Sequence, residues 1–419
     1  MLDRTAAPPS DNIAKPNFPE AQIISGAQGI DLVVLEQQAQ PVIMLDIVIP
    51  VGRFSETVSG ISYLAGKMLL EGTGKKSSAE IASEIDFHGS HLEITPTLDH
   101  LYIRLYCLKK FFSNQAKLVF ELLADSIFPE KEFEKLKTIR SQQIKQQHAK
   151  TNAFAGLKFR ETIFGSGHPY GKLVTLQDVD GTSLDQAKAF FSEQFKVRPT
   201  IFMAGAVGPE ELSIVNDRLS KFEFIAPKKP TTPKLPGNET LNISWDNSVQ
   251  SSIRFGSASI TKSHADIHKL KITNELLGGF FGSRLMKNIR EEKGLTYGIS
   301  SSMVHLQHGS YWVIGTDVLK EKVNLALDEI RKEIENLQNT PPTFEELELL
   351  KNHLKGKWLM SFDSCFNSMQ MITGNYLSGL TNQFWLDFMQ TVDEISAEDI
   401  SATLTKHFDH SGASSVVVG

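Results

Sequence analysis

Leu276–Tyr297 reads LLGGFFGSRLMKNIREEKGLTY. Helical apolar spacing runs into Gly278-Gly279 and breaks over Phe280-Phe281-Gly282. A second helical run resumes at Ser283-Arg284-Leu285 and ends at Lys293. Gly294 stands where a helix C-cap favours a residue that tolerates positive φ, and Tyr297 is read as opening a strand. The glycines lack the Lys-Ser/Thr of a phosphate-binding loop, so nucleotide binding is not expected. A packing loop between two helices would use the same glycines.

Around this stretch the chain divides in two. Ala226–Thr240 (APKKPTTPKLPGNET) clusters Pro and Thr with no apolar period, a linker composition. The expected organisation is an N-terminal half over 20–225, a proline-rich linker over 226–240 and a C-terminal half over 241–419. The halves look related. Asn114–Ile127 has helical spacing, then Pro129, then Phe133-Glu134-Lys135-Leu136. Glu321–Ile334 has the same spacing, then Pro341-Pro342, then Phe344-Glu345-Glu346-Leu347. Pro41–Val51, His91–Tyr106 and Thr200–Val207 read as strands in the first half. Ile253–Ser259, Tyr297–Val304 and Tyr311–Asp317 do so in the second. The expected fold is α+β: two homologous halves, each a mixed, largely antiparallel sheet with helices packed on one face.

The chain has 419 residues, 41% of them hydrophobic, enough for a sizeable core in each half. Lys plus Arg is 43 against 49 Asp plus Glu, a net charge of −6, so no nucleic-acid footprint is expected. No apolar run is long enough to span a membrane. Met1–Glu20 holds charges and four prolines and no apolar stretch of a secretory leader, so it reads as a disordered lead-in. Cys107 and Cys365 are too few for a disulfide scaffold or a thiolate zinc ribbon, and are read as free thiols. His264 and His268 have i, i+4 spacing without the Glu of H-E-x-x-H, and read as surface residues. His88 with His91, and His305 with His308, fall at expected turns. There is no G-x-S-x-G elbow.

Leu276–Tyr297 resembles the C-terminal-half signature of the pitrilysin/insulinase peptidase family, which includes the mitochondrial processing peptidase. Gly167-His168-Pro169-Tyr170-Gly171 is similar to the family's G-H-P-Y-G segment. Glu71-Gly72-Thr73 with Ser77–Ile85 is similar to the segment after its metal motif. Active members carry an inverted zinc motif, H-x-x-E-H. Gly60–Thr73 (GISYLAGKMLLEGT) keeps the frame of that motif, but Tyr63 and Lys67 stand at the two His positions and Gly66 at the general-base Glu. Gln143 stands where the resemblance implies the third ligand, a Glu. Catalytic zinc needs three imidazole or carboxylate ligands and an open position for water. The expectation is no metal and no cofactor in this chain, and no peptide cleavage by it alone.

The resemblance also implies a role. Family peptidases often pair a zinc-bearing subunit with a zinc-free one, and an Arg and a Tyr from the C-terminal half contact substrate near the zinc. Here these are Arg290 and Tyr297. The expected partners are a homologous zinc-bearing peptidase subunit, which would carry the zinc, and extended or unfolded peptides laid on the strand from His91. Gly278, Gly279 and Gly282 would form a substrate loop. The alternative is a scaffold subunit of a larger complex with no part in proteolysis, and a homodimer is a further alternative. The compartment is open: periplasm if a leader was removed, cytoplasm otherwise.

Overall fold

Val42–Ile49 (VIMLDIVI) is apolar at every position but one, the pattern of a strand buried on both faces. It lies inside a sheet, with neighbours on both edges. The exception, Asp46, is fully buried and accepts two hydrogen bonds from Arg104, from Nε at 3.0 Å and Nη2 at 2.5 Å. Burial pushes the Asp46 carboxyl upward, against the pull of Arg104. The computed structural model describes residues 18–419 apart from 237, 238 and 247. The lead-in over 1–17 and two residues of the expected linker therefore lie outside the described residues.

Among the described residues, the first sheet contains β1 (Gln22–Ser25), β2 (Asp31–Glu36), β3 (Val42–Ile49), β4 (His91–Pro96), β5 (Leu101–Leu108) and β6 (Thr200–Gly205), in the order β1-β2-β6-β3-β5-β4. The second contains β7 (Thr240–Ile243), β8 (Gln250–Ala258), β9 (Ile299–Leu306), β10 (Gly309–Leu319) and β11 (Ser414–Val418), in the order β7-β11-β8-β10-β9. The two orders superpose once β1 is set aside. In each sheet one pair is parallel, β2 with β6 and β7 with β11, and the other pairs are antiparallel. The expected run His91–Tyr106 is a hairpin of two strands, β4 and β5, turned over Thr97–His100. The expected pairing of Ile299–Val304 with Ser310–Thr316 is present, Ile299 opposite Thr316 and Val304 opposite Tyr311.

The helices repeat in the same way. The first half has α1 (Ile61–Met68), α2 (Ser78–Phe87), α3 (Phe112–Asp125), α4 (Glu130–His148), α5 (Thr151–Phe164), α6 (Leu176–Gly181), α7 (Leu184–Gln194) and α8 (Pro209–Leu219). The second has α9 (Ile267–Asn274), α10 (Val323–Asn339), α11 (Phe344–Met360), α12 (Cys365–Tyr376), α13 (Gln383–Glu394) and α14 (Ala397–His407). Capping boxes start several of them: the side chains of Ser77, Thr343 and Ser396 accept from the backbone N–H three residues on. Each half is thus an α+β unit whose own helices cover one face of its sheet. The larger cores, one per half, form between those helices and the sheet.

The other face of each sheet is closed by a helix from the opposite half. Phe159, Ile163 and Phe164 of α5 pack with Val416 and Val418 of β11. Met369 and Ile372 of α12 pack with Val33, Met44 and Phe202 of the first sheet. Fully burying such side chains stabilises by about 2 kcal/mol each, so this exchange holds the halves together. Polar contacts reinforce it: Thr151 Oγ1 with Ser252 Oγ at 3.0 Å, and Tyr376, whose hydroxyl donates to Asp31.

Candidate functional site

The family's zinc would sit where α1 crosses α4, and the residues there close on one another. The Tyr63 hydroxyl donates to Gln143 Oε1 at 3.0 Å. Arg140 Nη1 donates to the same oxygen at 3.3 Å, and its guanidinium lies 4.3 Å from the centre of the Tyr63 ring. Lys67, one helical turn on, donates to the Ile94 carbonyl of β4 at 2.5 Å. Burial pulls the Lys67 amine below its usual range, with Glu93 acting the other way. The structure therefore brings Tyr63 and Gln143 together, and Lys67 turns to β4. Their chemistry does not fit zinc: a phenol, an amine and an amide, two of them already engaged with each other.

Gly66 explains why no base belongs there. A Cβ on Gly66 would lie 2.8 Å from Pro96 Cγ and 2.9 Å from Leu101 Cδ1. Pro96 and Leu101 fill the space a side chain at position 66 would need. β4 is an edge strand, as expected. Its edge is blunted, since Lys67 occupies the Ile94 carbonyl and Pro96 offers no N–H. Among the described residues no group of three His, Cys, Asp or Glu side chains is placed to hold a metal ion.

The Gly-rich stretch of the second half is pinned, not loose. Gly278 approaches β9 so closely that a Cβ would lie 2.8 Å from the Ser301 nitrogen, and one on Gly279 would lie 2.6 Å from Glu275 Oε2. At Gly282 the obstacle is the Phe280 ring, at 2.7 Å. These three glycines serve close approach; none adopts a positive φ. Arg284 grips Glu346 of α11 through two hydrogen bonds of 3.1 and 3.0 Å. The second helical run is a wide π-helical turn, Met286–Glu292, and Gly294 (φ +60°) ends it as expected. Arg290 lies on that turn with its guanidinium 4.7 Å from the centre of the exposed Phe281 ring. Tyr297 does not open the strand, which begins at Ile299; it stands in the preceding loop, 92% exposed. The loop beside it is anchored by Thr296, whose hydroxyl donates to the Asp317 carbonyl at 2.8 Å.

The G-H-P-Y-G segment is a latch between the halves. Tyr170 is fully buried, and its hydroxyl donates to Asp99 in the β4–β5 turn and accepts from His308 N at 3.2 Å in the β9–β10 turn. Asp99 also accepts from Gln307 N at 3.1 Å. Gly171 admits no side chain, because a Cβ would strike the Gly165 carbonyl. Two of the histidines read as exposed are not. His305 is largely enclosed, and desolvation, with Lys271 and Lys262 nearby, pulls it down to about 4. His268 packs on Phe384, ring centres 4.5 Å apart.

A cluster that sequence reading passed over lies where α9 and its continuation cross α11. The shift of 208 residues that carries Val42 of β3 onto Gln250 of β8 also carries Tyr63 onto Lys271 and Lys67 onto Glu275. The shift of 211 that carries Phe133 onto Phe344 carries Gln143 onto Leu354. This crossing is the second half's counterpart of the zinc position, and it is open: a cavity of about 360 Å³ is lined by Lys271, Glu275, Leu354, Lys357 and the neighbouring aromatic rings. Glu275 Oε1 accepts from Lys357 at 2.7 Å and faces His353 Nε2 at 3.1 Å. The signal was present in the i, i+4 pair Lys271/Glu275, but only the internal repeat gives it meaning.

Two equivalent α+β halves, with a metal position in the first occupied by groups that hold no metal, define a peptidase-type fold without peptidase chemistry. Residues 32–165 match the family domain described as insulinase (peptidase family M16), and residues 183–354 match the one described as peptidase M16 inactive domain. The chain belongs to the pitrilysin/insulinase family and is a non-catalytic homologue within it. It is similar to a Bacillus subtilis protein called uncharacterized zinc protease YmxG, 25% identical over 88% of this chain and 90% of that one. It is also similar to a Helicobacter pylori protein called non-peptidase homolog YmxG, 22% identical over 83% of this chain and 82% of that one. Among solved structures, the peptidase M16 inactive domain from Pseudomonas fluorescens shares the fold with a TM-score of 0.87 at 23% identity, over 95% of this chain and 98% of that one.

Proposed function

We propose that this chain is the zinc-free subunit of a two-part pitrilysin-type peptidase, completing the active site of a homologous zinc-bearing subunit. The observation that carries the reading is the pairing of a closed zinc position with a projecting Tyr297 on a rigidly anchored loop. A large aromatic side chain left so exposed is suited to meeting a partner or substrate. Arg290 would hold the substrate backbone or a carboxylate through its planar fork of donors. Tyr297 would donate to the oxyanion at the scissile carbonyl, and such a donor is worth about 3 kcal/mol in the transition state.

The test is reconstitution with the co-purifying zinc-bearing subunit. Tyr297→Phe and Arg290→Ala are expected to lower kcat of the complex about a hundredfold and leave its assembly unchanged. Unchanged turnover in both variants overturns the role. One observation favours the scaffold reading for the first half: the blunted edge of β4 leaves little backbone for an added peptide strand. Peptidase turnover by the reconstituted pair separates the two readings.

A further inference from the structure

The cavity at the crossing of α9 with α11 is lined in part by donors that have no acceptor within hydrogen-bond distance. Lys271 lines it, and its ammonium rests 5.5 Å from the Trp385 ring centre and 5.6 Å from that of Phe384. Among the described residues it has no carboxylate within ion-pair distance and no hydrogen-bond acceptor. Glu275, the nearest acid in the lining, is committed to Lys357 and His353. Lys262 adds a further positive charge close by, its amine donating to the Gly374 carbonyl at 2.9 Å. Desolvation, with Lys357 as a like charge, pulls the Lys271 amine down to about 8. Two more donors in the lining lack acceptors: the indole N–H groups of Trp358 and Trp385, side chains that are 4% and 9% exposed. The remaining lining is mixed: Trp385, Phe388 and Met371 form an apolar wall, and Asn274, Ser301, Ser302 and Ser361 a polar one.

Each of these deficits calls for the same supplement. An ammonium with no carboxylate at ion-pair distance, opposed only in part by Glu275, and unpaired N–H groups favour acceptor oxygens, preferably anionic. Aromatic walls require an apolar body, and the volume suits a small one. A hydrated inorganic anion would leave the walls unused, and a neutral apolar molecule would leave Lys271 uncompensated.

We propose that this cavity binds an organic carboxylate with an apolar body, its carboxylate bridging Lys271 and Lys357 and its body lying against Trp358, Trp385 and Phe388. A free small acid and the C-terminus of a peptide ending in an apolar residue offer the same chemistry. The site stands on the geometry of this chain alone and does not depend on the two-subunit reading.

The experiment uses the full chain, with tryptophan fluorescence and calorimetry as readouts, since two tryptophans line the cavity. The probes are N-acetyl-L-leucine and its neutral amide, N-acetyl-L-leucinamide. The acid is expected to bind saturably and the amide at least tenfold more weakly. Lys271→Met is expected to abolish the difference between acid and amide, and Lys271→Arg to retain it. Equal affinities for acid and amide, or saturation by neither, overturns the proposal, and that comparison stands on the native chain even where a variant fails to fold. A heptapeptide ending in leucine with a free carboxylate assigns the source. Binding as tight as that of the small acid indicates a peptide terminus, and exclusion of the peptide while the small acid binds indicates a free acid; both outcomes support the site.

Discussion

The crossing of α1 with α4 and the crossing of α9 with α11 occupy the same place in two copies of one topology, yet they have taken opposite courses. In the first, Tyr63, Gln143 and Arg140 satisfy one another, Lys67 is tied to Ile94, and Pro96 fills the space beside Gly66. In the second, Lys271 lacks a counter-charge and a cavity remains beside it. The comparison teaches that loss of a metal does not by itself leave a hole. A crossing closes when its replacements pair with each other, and stays open when they carry like charges. Lys271 and Lys357 cannot pair, and Glu275 bonds Lys357 and His353 but not Lys271.

The largest effect is expected from rebuilding the first crossing. Tyr63→His, Lys67→His and Gln143→Glu together should create a zinc site, because residues 63 and 143 already meet at 3.0 Å. Zinc at a thousandfold excess over its Kd would then stabilise the fold by about 4 kcal/mol, read as a rise in Tm that a chelator reverses. Peptide hydrolysis should not return, since Gly66 supplies no base. A variant whose Tm ignores zinc would break the argument that side-chain identity alone separates this crossing from a metal site.

Next in size is the contribution of the enclosed His305 to acid sensitivity. His305 is held neutral with its pKa near 4, while an unfolded His titrates near 6.5. The unfolded chain therefore binds the extra proton between these values. The stability that follows is fully present above about pH 6.5 and is lost as pH falls through 4, a change of about 3 kcal/mol. Urea unfolding followed from pH 7 to pH 4 checks it, and His305→Asn should flatten the profile. An equally steep profile in that variant would place the acid sensitivity elsewhere.

The smallest of the three sharpens the packing argument. Gly66→Ala should destabilise by about 2 kcal/mol through overpacking against Pro96 and Leu101, despite the better helix propensity of alanine. Thermal or urea unfolding measures it. A stabilised variant would show that the Pro96 ring yields, and that a glutamate could be accommodated there.

Much of the fold was legible in the chain. The repeated helix–proline–helix pattern marked two related halves, and alternating runs marked β5, β8 and β10. The hairpin of β4 and β5 was read as one strand although the apolar positions change phase across Thr97–His100, from Leu92 and Ile94 to Leu101, Ile103 and Leu105, and that change marks the turn. Tyr297 was placed in a strand as an aromatic residue, but Gly298 separates it from Ile299, where the strand begins. Of the candidate site, Tyr63 and Gln143 were singled out by resemblance, and the two are hydrogen-bonded to each other. The glycines were read as a substrate loop, whereas Gly278 is held by close approach to Ser301, a neighbour that lies elsewhere in the sequence.

The sequence by itself determined which donor atoms stand at the positions that resemble the family's zinc motif, because those follow from residue identity alone, and Tyr63, Lys67, Gly66 and Gln143 do not supply the imidazole and carboxylate set. The tertiary structure alone decided the exchange of α5 and α12 between the halves and the open cavity at Lys271. A helix's periodicity shows that it has an apolar face but not which sheet will cover it. A lysine's lack of a counter-charge exists only once distant residues have been brought around it. Those properties belong to contacts between residues far apart in the chain, where no local pattern records them.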